Sequence, residues 1–377
     1  MTPPLDMRHI RDMTSAFVEQ AILVDEARRI DREDVYPHHL LAAFGQTGLF
    51  GINIPEEYGG MGGNSIDALP VYEELSRRLP VLAWVIGNIM LYGNEIIGTH
   101  GSEAQKARFL PALAEGRLHF SFALTEPDSG SDAASISMRA TERDGAYWLT
   151  GSKMFITGAS VSDVVVTLAR TAPARYKGIT AFLVDTGTPG YSARPLEKLG
   201  YHGSGTCAVH FDHVRVPPED ILGGPDCLHQ GWWQMVSLLN SERLALSACA
   251  VGIGRAVLDE VIAHVRERYP GDSVRYQGIR HAIVEMATEL EAARRLMAHA
   301  AGLHRQGVEC LRETSMSKLY ASEVAKKIAL RSVDLMAPYG GTFACAAQCF
   351  LRDVLVLSIG GGTSQIQKNI IAKTLSL

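Results

Sequence analysis

The sequence lacks the features of several broad classes of protein. It has no dense run of Lys and Arg, and its 36 basic and 41 acidic side chains give a formal charge of -5, so an electrostatic basis for binding nucleic acid is missing. The most apolar run, Leu79 to Gly93, is interrupted by Gly87 and Asn88. It is shorter than the ~20 residues that span a bilayer, so we expect a buried helix and no membrane span. Six cysteines are dispersed without a CxxC pair or metal-spaced histidines, which favours free thiols over a metal site.

The N-terminal residues also lack the continuous apolar segment of a secretory signal. Polar or charged side chains occur at Asp6, Arg8, His9 and Arg11, where such a segment needs apolar residues. We therefore expect a cytoplasmic protein. With 377 residues, 46% of them hydrophobic, the chain can bury a large core divided among two or three domains.

Three regions of different periodicity divide the chain. Apolar residues recur at helical spacing over residues 1–118, short β-rich runs follow over 119–225, and helical spacing returns over 226–377. The pair Asp144-Gly145 is a strong signal for a two-residue β-hairpin, because Gly accepts the positive φ that the turn requires. The sequence thus predicts an α+β multidomain fold with an N-terminal all-α domain, a central antiparallel β-domain and a C-terminal four-helix bundle.

The elements behind this prediction are short strands in the middle of the chain and long helices at its end. The predicted strands are 119–124, 139–143, 146–150, 164–167, 179–184 and 208–211, and the predicted bundle helices are 232–269, 274–304, 310–336 and 364–375. The glycines between Leu41 and Gly63 predict a loop inside the N-terminal domain.

The first segment that suggests chemistry leaves a predicted strand and enters a turn rich in glycine and serine, from Phe122 to Asp132. Hydroxyl groups and free backbone N–H groups in such a turn can hold an electron-rich ring edge or a phosphate. A plain polar turn is an equally good interpretation of this segment alone.

A second segment, Gly151 to Gly158, places the ring of Phe155 and the hydroxyl of Thr157 two residues apart on a predicted strand. Side chains at this spacing point to one face of a strand. Such a pair can stack against a flat ring and hydrogen-bond its edge, although ordinary strand packing is the commoner reason for it.

In the third segment, the glycines Gly360 to Gly362 precede Thr363 at the start of the last predicted helix. A helix N-terminus after glycines lets the backbone approach a ligand closely and offers its N–H groups to negative charge. The simpler alternative is a helix N-cap that follows a turn.

Taken together and in this order, the three segments resemble the acyl-CoA dehydrogenase family. The resemblance covers nearly the whole chain, including Gly59-Gly60, the stretch from Gly101 to Gly116, Lys198-Leu199-Gly200 and Leu351-Arg352-Asp353. It implies the helix, strand, helix order given above, with FAD between the β-domain and the C-terminal bundle, and assembly into dimers or tetramers. It also implies oxidation of an acyl thioester, in which the α hydrogen leaves as a proton and the β hydrogen leaves as hydride to flavin N5.

The resemblance further assigns roles to individual residues. The residues of the first segment match the lining of the flavin and the thioester. The residues of the second segment match positions beside the isoalloxazine ring. The residues of the third segment match contacts to the adenosine and diphosphate part of FAD. The residues matched to cofactor contacts are Phe122, Thr125, Ser131, Phe155, Thr157, Thr363 and Gln365, and those matched to substrate contacts are Ser131 and Arg243.

The catalytic base departs from the commonest family pattern. Most members place a Glu immediately before the Gly-Thr of the last segment, and this chain has Gly361 there. A smaller group, including the isovaleryl and long-chain enzymes, carries the base in a Glu-Arg pair on the first bundle helix, which matches Glu242-Arg243. The resemblance therefore predicts Glu242 as the α-proton base, while Gly361 keeps the backbone N–H that polarises the thioester carbonyl. The alternative for Glu242 alone is a solvated helix charge, and the small and apolar run that follows it favours burial.

Two other departures concern the contact to the FAD of a neighbouring subunit. The family's Arg-x-x-Phe-Gly is replaced by the segment from Arg266 to Pro270, in which Arg266 and Tyr269 match the contacts. Gly341 is the third predicted contact, and a Gln expected shortly before it is replaced by Ala337. The stretch that follows Gly341 is shorter than in the family and rich in Ala and Cys.

Three hypotheses for the function follow. The leading one is α,β-dehydrogenation of a small or branched acyl-CoA, with an electron-transfer flavoprotein or O2 as the acceptor. The second is oxidation of an acyl or aminoacyl group on a carrier protein, which the base placement and the C-terminal Ile370-Ile371-Ala372-Lys373 also fit. The third is a flavin- or thioester-binding protein without turnover, suggested by Gly361 and the altered Arg266 segment.

Overall fold

The computed structural model describes residues 5–269 and 274–377, and its N-terminal part is helical. The helices of this part are α1 (Met7–Ala21), α2 (Val24–Glu33), α3 (His38–Gly45), α4 (Leu69–Ser76), α5 (Pro80–Ile89), α6 (Ile96–His100) and α7 (Glu103–Ala114). A π-helical turn, Met90–Glu95, joins α5 to α6. Between α3 and α4 the chain makes only short 3₁₀ turns, so the predicted loop is confirmed.

The helical stretch Pro80–His100 forms part of the N-terminal core. It is the one helix of the described residues that is long and apolar enough to cross a membrane, by length and composition alone. Within its apolar window 72% is buried inside the protein, as in the core helix of a globular fold. The structure thus places the apolar run that starts at Leu79 in a buried helix, as the sequence predicted.

The central domain is a seven-stranded sheet. Its strands are β1 (Phe120–Ala123), β2 (Arg139–Arg143), β3 (Ala146–Ile156), β4 (Val164–Arg170), β5 (Ile179–Asp185), β6 (Tyr191–Pro195) and β7 (Cys207–Val216). The strand order is β1-β4-β2-β3-β7-β6, with β5 paired to β4. All six predicted strands are present, and β6 is an additional one.

The sheet is mixed, which corrects the prediction of a purely antiparallel domain. β1 pairs in parallel with β4, where Phe120 lies opposite Val164, and β2 meets β4 in parallel where Arg139 lies opposite Arg170. The other pairs are antiparallel. A parallel pair needs a long crossover, which the chain from 124 to 163 provides. The alternation within each strand carries no information about its direction, so sequence reasoning missed this pairing.

The hairpin predicted from Asp144-Gly145 is confirmed as the connection between β2 and β3. Asp144 has φ 52° and Gly145 has φ 69°, both positive as a type I′ turn requires. Arg143 lies opposite Ala146 across this turn.

The C-terminal part is a helical bundle of α8 (Gly231–Arg268), α9 (Gln277–Arg305), α10 (Leu311–Leu335), α11 (Ala347–Leu357) and α12 (Ser364–Thr374). The four predicted helices are present, and α11 is a fifth that the sequence analysis did not predict. It packs against α8 and α10, and its Phe350, Val354 and Leu357 are buried. α8 also packs against α4 and β5. α8 therefore contacts all three parts of the protein.

Candidate active site

Trp84 and Tyr92, both on the helical stretch Pro80–His100, connect the three segments described above. Trp84 Nε1 donates a hydrogen bond to Thr157 Oγ1 at 2.9 Å, and a Cβ built on Gly360 would lie 3.1 Å from the Trp84 indole. The Tyr92 ring stacks on Phe122, with centroids 4.3 Å apart and planes 7° from parallel. The second and third segments therefore meet at Trp84, and the first segment joins them through Tyr92.

Direct hydrogen bonds also hold the first segment against the second. The Met154 N–H donates to the Thr125 carbonyl at 2.9 Å, and Ser121 Oγ, one residue before the first segment, donates to the Thr157 carbonyl at 2.7 Å. The structure thus brings Thr125 and Thr157, which the family resemblance selects, into one region.

A buried ion pair fixes the loop that follows β1, within the first segment. Lys153 Nζ donates to Glu126 Oε1 and to the Leu124 carbonyl, each at 2.9 Å. The Glu126 carboxylate also accepts the backbone N–H groups of Ser137 and Met138. Burial lowers the pKa of Lys153 to about 8, while the charge of Glu126 opposes this shift. Although burial acts to raise it, the pKa of Glu126 lies below its usual value because of the Lys153 charge and the Ser137 hydrogen bonds.

Phe155 is exposed in a way that ordinary strand packing does not explain. Its side chain is 67% exposed and its φ is 62°, in a region that few residues other than glycine adopt. The pairing of β3 with β7 shifts between Lys153 and Ile156, and such irregularities re-aim side chains. The prediction that Phe155 and Thr157 share a strand face is wrong, because β3 ends at Ile156 and Phe155 leaves the strand geometry. An exposed ring on a strained backbone is typical of a binding site, and it fits a flat ligand such as a flavin.

The carboxylate of Glu242, on the first half of α8, lies beside the glycine turn. A Cβ built on Gly361 would be 3.5 Å from Glu242 Oε1. Glu242 is partly accessible and is not the fully solvated helix charge that was the alternative for it. Its carboxylate therefore reaches the space that a side chain at position 361 would enter.

Three groups act on the Glu242 carboxylate. The Tyr92 hydroxyl and the charges of Arg243 and Lys318 lie nearby. Burial raises the pKa of Glu242 above its usual value, while the Tyr92 hydroxyl and the two positive charges act in the opposite direction. A carboxylate with a raised pKa is a stronger base once it is ionised, which suits the removal of a proton from carbon.

The glycine turn is held from inside by two buried polar side chains that the sequence analysis missed. Lys318 Nζ donates to the Gly362 carbonyl at 2.7 Å, and Gln367 Nε2 donates to the carbonyls of Gly361 and Gly362 at 3.0 and 3.1 Å. Gly361 has φ 63° and Gly362 has φ 87°, which favour glycine. Among the described residues, no acceptor pairs with the Gly361 N–H. This N–H can therefore donate to a ligand oxygen.

Other predicted contacts are placed near these groups without a demonstrated ligand role. Thr363 is the N-cap of α12, and its Oγ1 accepts the Ile366 N–H at 3.2 Å, as in the simpler alternative for this segment. Ser131 and Gln365 are exposed. Their contacts to cofactor or substrate stay predictions.

Arg243 lies inside the protein and not on an open surface. Its side chain is buried, its Nη1 donates to Asn240 Oδ1 at 3.1 Å, and its Nε is buried without a partner in the described part of the chain. The structure therefore shows an electrostatic neighbour of Glu242, and the predicted contact with substrate stays a prediction.

The three residues predicted to contact a neighbour's FAD lie away from Glu242. Arg266 is exposed and follows Glu242 by 24 positions on α8, which corresponds to ~36 Å along the helix. Tyr269 is at the C-terminal end of α8, Pro270 is outside the described residues, and Gly341 is exposed after α10. One chain does not bring these residues to its own base, so a role toward a second subunit stays a prediction.

Comparison with known proteins agrees with this arrangement. Models of the acyl-CoA dehydrogenase N-terminal, middle and C-terminal domains match residues 5–117, 121–214 and 229–376. The chain is 37% identical to an acyl-CoA dehydrogenase of Bacillus subtilis and 31% identical to the caffeyl-CoA reductase-Etf complex subunit CarC of Acetobacterium woodii, each over 97% of both chains. The structure of the prolyl acyl carrier protein oxidase AnaB matches with a TM-score of 0.91 at 25% identity, over 98% of this chain and 99% of that one. The chain therefore belongs to the acyl-CoA dehydrogenase family, whose members are FAD-dependent oxidoreductases that act on CH–CH groups.

Proposed function

We propose that this protein oxidises an acyl thioester between its α and β carbons, with Glu242 as the base that removes the α proton. The observation that carries the proposal is the position of the Glu242 carboxylate beside Gly361. In most family members the catalytic glutamate occupies the position of Gly361. A carboxylate that reaches the same space from α8 can therefore remove a proton from the same α carbon.

The protein's own groups divide the work of proton removal. Ionised Glu242 accepts the α proton, and the Gly361 N–H donates to the thioester carbonyl oxygen as negative charge develops there. Lys318 and Gln367 hold the carbonyls of the glycine turn, which keeps that N–H in a fixed direction.

The cofactor would lie against the exposed ring of Phe155, with Thr125, Thr157 and Thr363 as hydroxyl contacts. When bound, FAD supplies the acceptor for the β hydrogen, which leaves as hydride. The exposed aromatic ring and the left-handed glycines before α12 are the features that fit this group.

The carrier of the acyl group defines a second candidate function. An acyl or aminoacyl thioester on a carrier protein is supported by the likeness to AnaB, which is a prolyl acyl carrier protein oxidase. Electron-transfer flavoprotein or O2 is the proposed acceptor, and CarC, the subunit of a reductase-Etf complex, supports the former.

Anaerobic bleaching tests the function. We expect the yellow purified protein to lose its flavin absorbance with a saturated acyl-CoA from a panel of small and branched chains. Pivaloyl-CoA, which has no α hydrogen, is the control and should leave the flavin oxidised. Faster bleaching by a matched carrier-protein thioester would favour the second candidate. Bound FAD that no thioester of either kind reduces would contradict both and favour a protein without turnover.

A further inference from the structure

We propose that a cavity between α2, α8 and the start of α11, called the α2–α11 cavity below, binds a small organic anion with an apolar body. Its volume is about 400 Å³, which lies in the range of small-molecule sites in proteins. The ligand class is an organic acid whose charged group meets the arginines of α2 and whose apolar part lies on the floor of the cavity. This inference does not depend on the proposed role of Glu242.

The α2–α11 cavity is separate from the candidate active site. Ala256, Asp259 and Glu260 of α8 line it, and Ala256 follows Glu242 by 14 positions, which corresponds to ~21 Å along the helix. Among the described residues that line the cavity, none is a flavin or thioester contact named above.

One wall of the cavity is the stretch 342–350, which is shorter than in the family and rich in Ala and Cys. Its Cys345, Ala346 and Cys349 line the cavity, and Ala27 lines it from α2. These side chains are small, and in a close-packed interior larger ones would fill such a space. The departure of this stretch from the family pattern therefore coincides with the cavity.

The floor and one edge of the cavity are apolar. Leu79 and Phe350 are buried and line the floor, while Phe343 lines the edge with its side chain 60% exposed. Burial of apolar ligand surface against these residues is favourable. A ligand that fills the cavity therefore needs an apolar part.

Two arginines of α2 that line the cavity have little internal compensation. Arg28 and Arg32 are one helical turn apart, so they point to the same side of α2. Arg28 Nη1 lies 3.6 Å from Asp25 Oδ1, whose side chain is 96% exposed, and such a surface pair contributes little. Arg32 Nη2 reaches only the Phe343 carbonyl, at 3.5 Å, and its guanidinium lies 5.8 Å from the ring centroid. No carboxylate in the described part of the chain forms an ion pair with Arg32.

The other two arginines of the lining have acidic partners of their own. Arg77 Nη1 donates to Glu74 Oε2 at 2.8 Å, and Arg78 Nη2 lies 3.4 Å from Glu19 Oε1. The capacity to bind an anion is therefore concentrated on α2.

The acidic residues of the lining orient the ligand. Asp31 of α2 is paired with Arg352 at 2.6 Å, which leaves Asp259 and Glu260 of α8 on the opposite side. Glu260 Oε1 accepts the Ala346 N–H at 3.1 Å, and its Oε2 is buried without a partner among the described residues. The cavity is thus positive toward α2 and negative toward α8, so an anionic group is drawn to Arg28 and Arg32.

The test uses the holoenzyme and anilinonaphthalene sulfonate, an organic anion whose fluorescence rises when its rings enter an apolar cavity. We expect a single class of saturable site. Arg28→Gln combined with Arg32→Gln should raise the Kd by ~tenfold or more, because the sulfonate loses its charge-assisted hydrogen bonds. Arg29→Gln is the matched control, since Arg29 lies on the same helix, pairs with Glu26 at 2.8 Å and does not line the cavity; it should leave the Kd unchanged.

A neutral analogue and two further variants test charge and location. Phenylnaphthylamine, which has the same rings without the sulfonate, should bind more weakly and should not respond to the arginine substitutions. Asp259→Asn removes an exposed negative charge at the cavity and should lower the Kd for the sulfonate. Ala346→Phe fills the cavity and should abolish binding, with thermal unfolding as the check that the variant is folded.

Three results would overturn the proposal: an unchanged Kd in the double arginine variant, an unchanged or raised Kd in Asp259→Asn, or binding retained by a folded Ala346→Phe protein. If Ala346→Phe does not fold, the arginine and Asp259 variants decide. Flavin reduction plays no part in these measurements, so failure of the proposed function leaves the test valid.

Discussion

At the scale of single residues, the proposed chemistry depends on one carboxylate and on one position without a side chain. A Cβ at position 361 would lie 3.5 Å from Glu242 Oε1, an ordinary contact distance, but 2.3 Å from Leu246 Cδ1. With Leu246 in place there is no room for a side chain at position 361, so the base comes from α8 and the glycine turn contributes only its backbone.

The substitution Glu242→Gln tests the base directly. It keeps the size and hydrogen bonding of the side chain and removes its basicity, so FAD should remain bound while flavin reduction by the thioester slows by ~100-fold or more. Stopped-flow absorbance under anaerobic conditions measures the rate. Glu267→Gln, an exposed Glu on the same helix, is the control and should reduce its flavin at the wild-type rate. A Glu242→Gln protein as fast as the wild type at saturating substrate would mean that the base lies elsewhere.

The raised pKa of Glu242 also predicts a stability effect. A carboxyl whose pKa is higher in the folded than in the unfolded protein contributes most below the unfolded value, near 4.5, and this contribution is lost as pH rises through the folded value. At neutral pH the partly buried charge therefore costs stability, and Glu242→Gln should unfold at the same or a higher urea concentration than the wild type. Its advantage should vanish below pH 4.

The left-handed turn predicts the cost of a side chain at position 361. Gly361→Ala must adopt φ 63° and displace Leu246, so we expect a loss of ~1–3 kcal/mol in the free energy of unfolding. Gly302→Ala is the matched control, because this helical glycine has open space around its Cβ; it should be neutral or stabilising by up to ~1 kcal/mol. Equal urea midpoints for the two variants would contradict this account.

At the scale of elements, the site is assembled by two long helical stretches and one loop. α8 carries Glu242 between the three domains, and Pro80–His100 contributes Trp84 and Tyr92. The loop after β1 is fixed by the buried pair of Lys153 and Glu126. Removal of one partner of a buried ion pair leaves an uncompensated charge, which is more costly than loss of the whole pair.

Lys153→Met should therefore destabilise the protein by about 3 kcal/mol and weaken the retention of FAD, since Lys153 also holds the Leu124 carbonyl. Urea unfolding and the release of flavin on gel filtration measure the two effects. Lys177→Met, at an exposed lysine of the same domain, is the control and should change neither. A Lys153→Met protein of wild-type stability would show that the ion pair does not support the loop.

At the scale of the whole molecule, Arg266, Tyr269 and Gly341 are distant from the base of their own chain. The family resemblance assigns them to the FAD of a second subunit, so we expect an assembly larger than the 40.9 kDa chain in light scattering. Arg266→Ala should lower FAD retention, because the anionic diphosphate loses a positive partner. Arg268→Ala, exposed on the same helical turn, should not. A monomer that keeps its flavin and its activity would refute the prediction.

The sequence by itself determined the order of helices, strands and helices, the β2–β3 hairpin and the candidate base. Periodicity and turn chemistry are local properties, so a single stretch of chain carries them. The family resemblance also identified positions 361 and 242 as the two alternative places of the base, occupied here by a glycine and a glutamate.

Only the tertiary structure decided which side chains surround that base. Tyr92 and Trp84 belong to an apolar helix whose sequence predicts only a buried core element. Lys318 and Gln367 have no sequence feature that distinguishes them from other polar residues of helices. A buried polar residue is recognisable only when its partners are known, and here those partners are separated by up to hundreds of positions along the chain. The direction of β1 relative to β4 was undecided for the same reason: strand pairing is a contact between distant segments, and the alternation within one strand does not encode it.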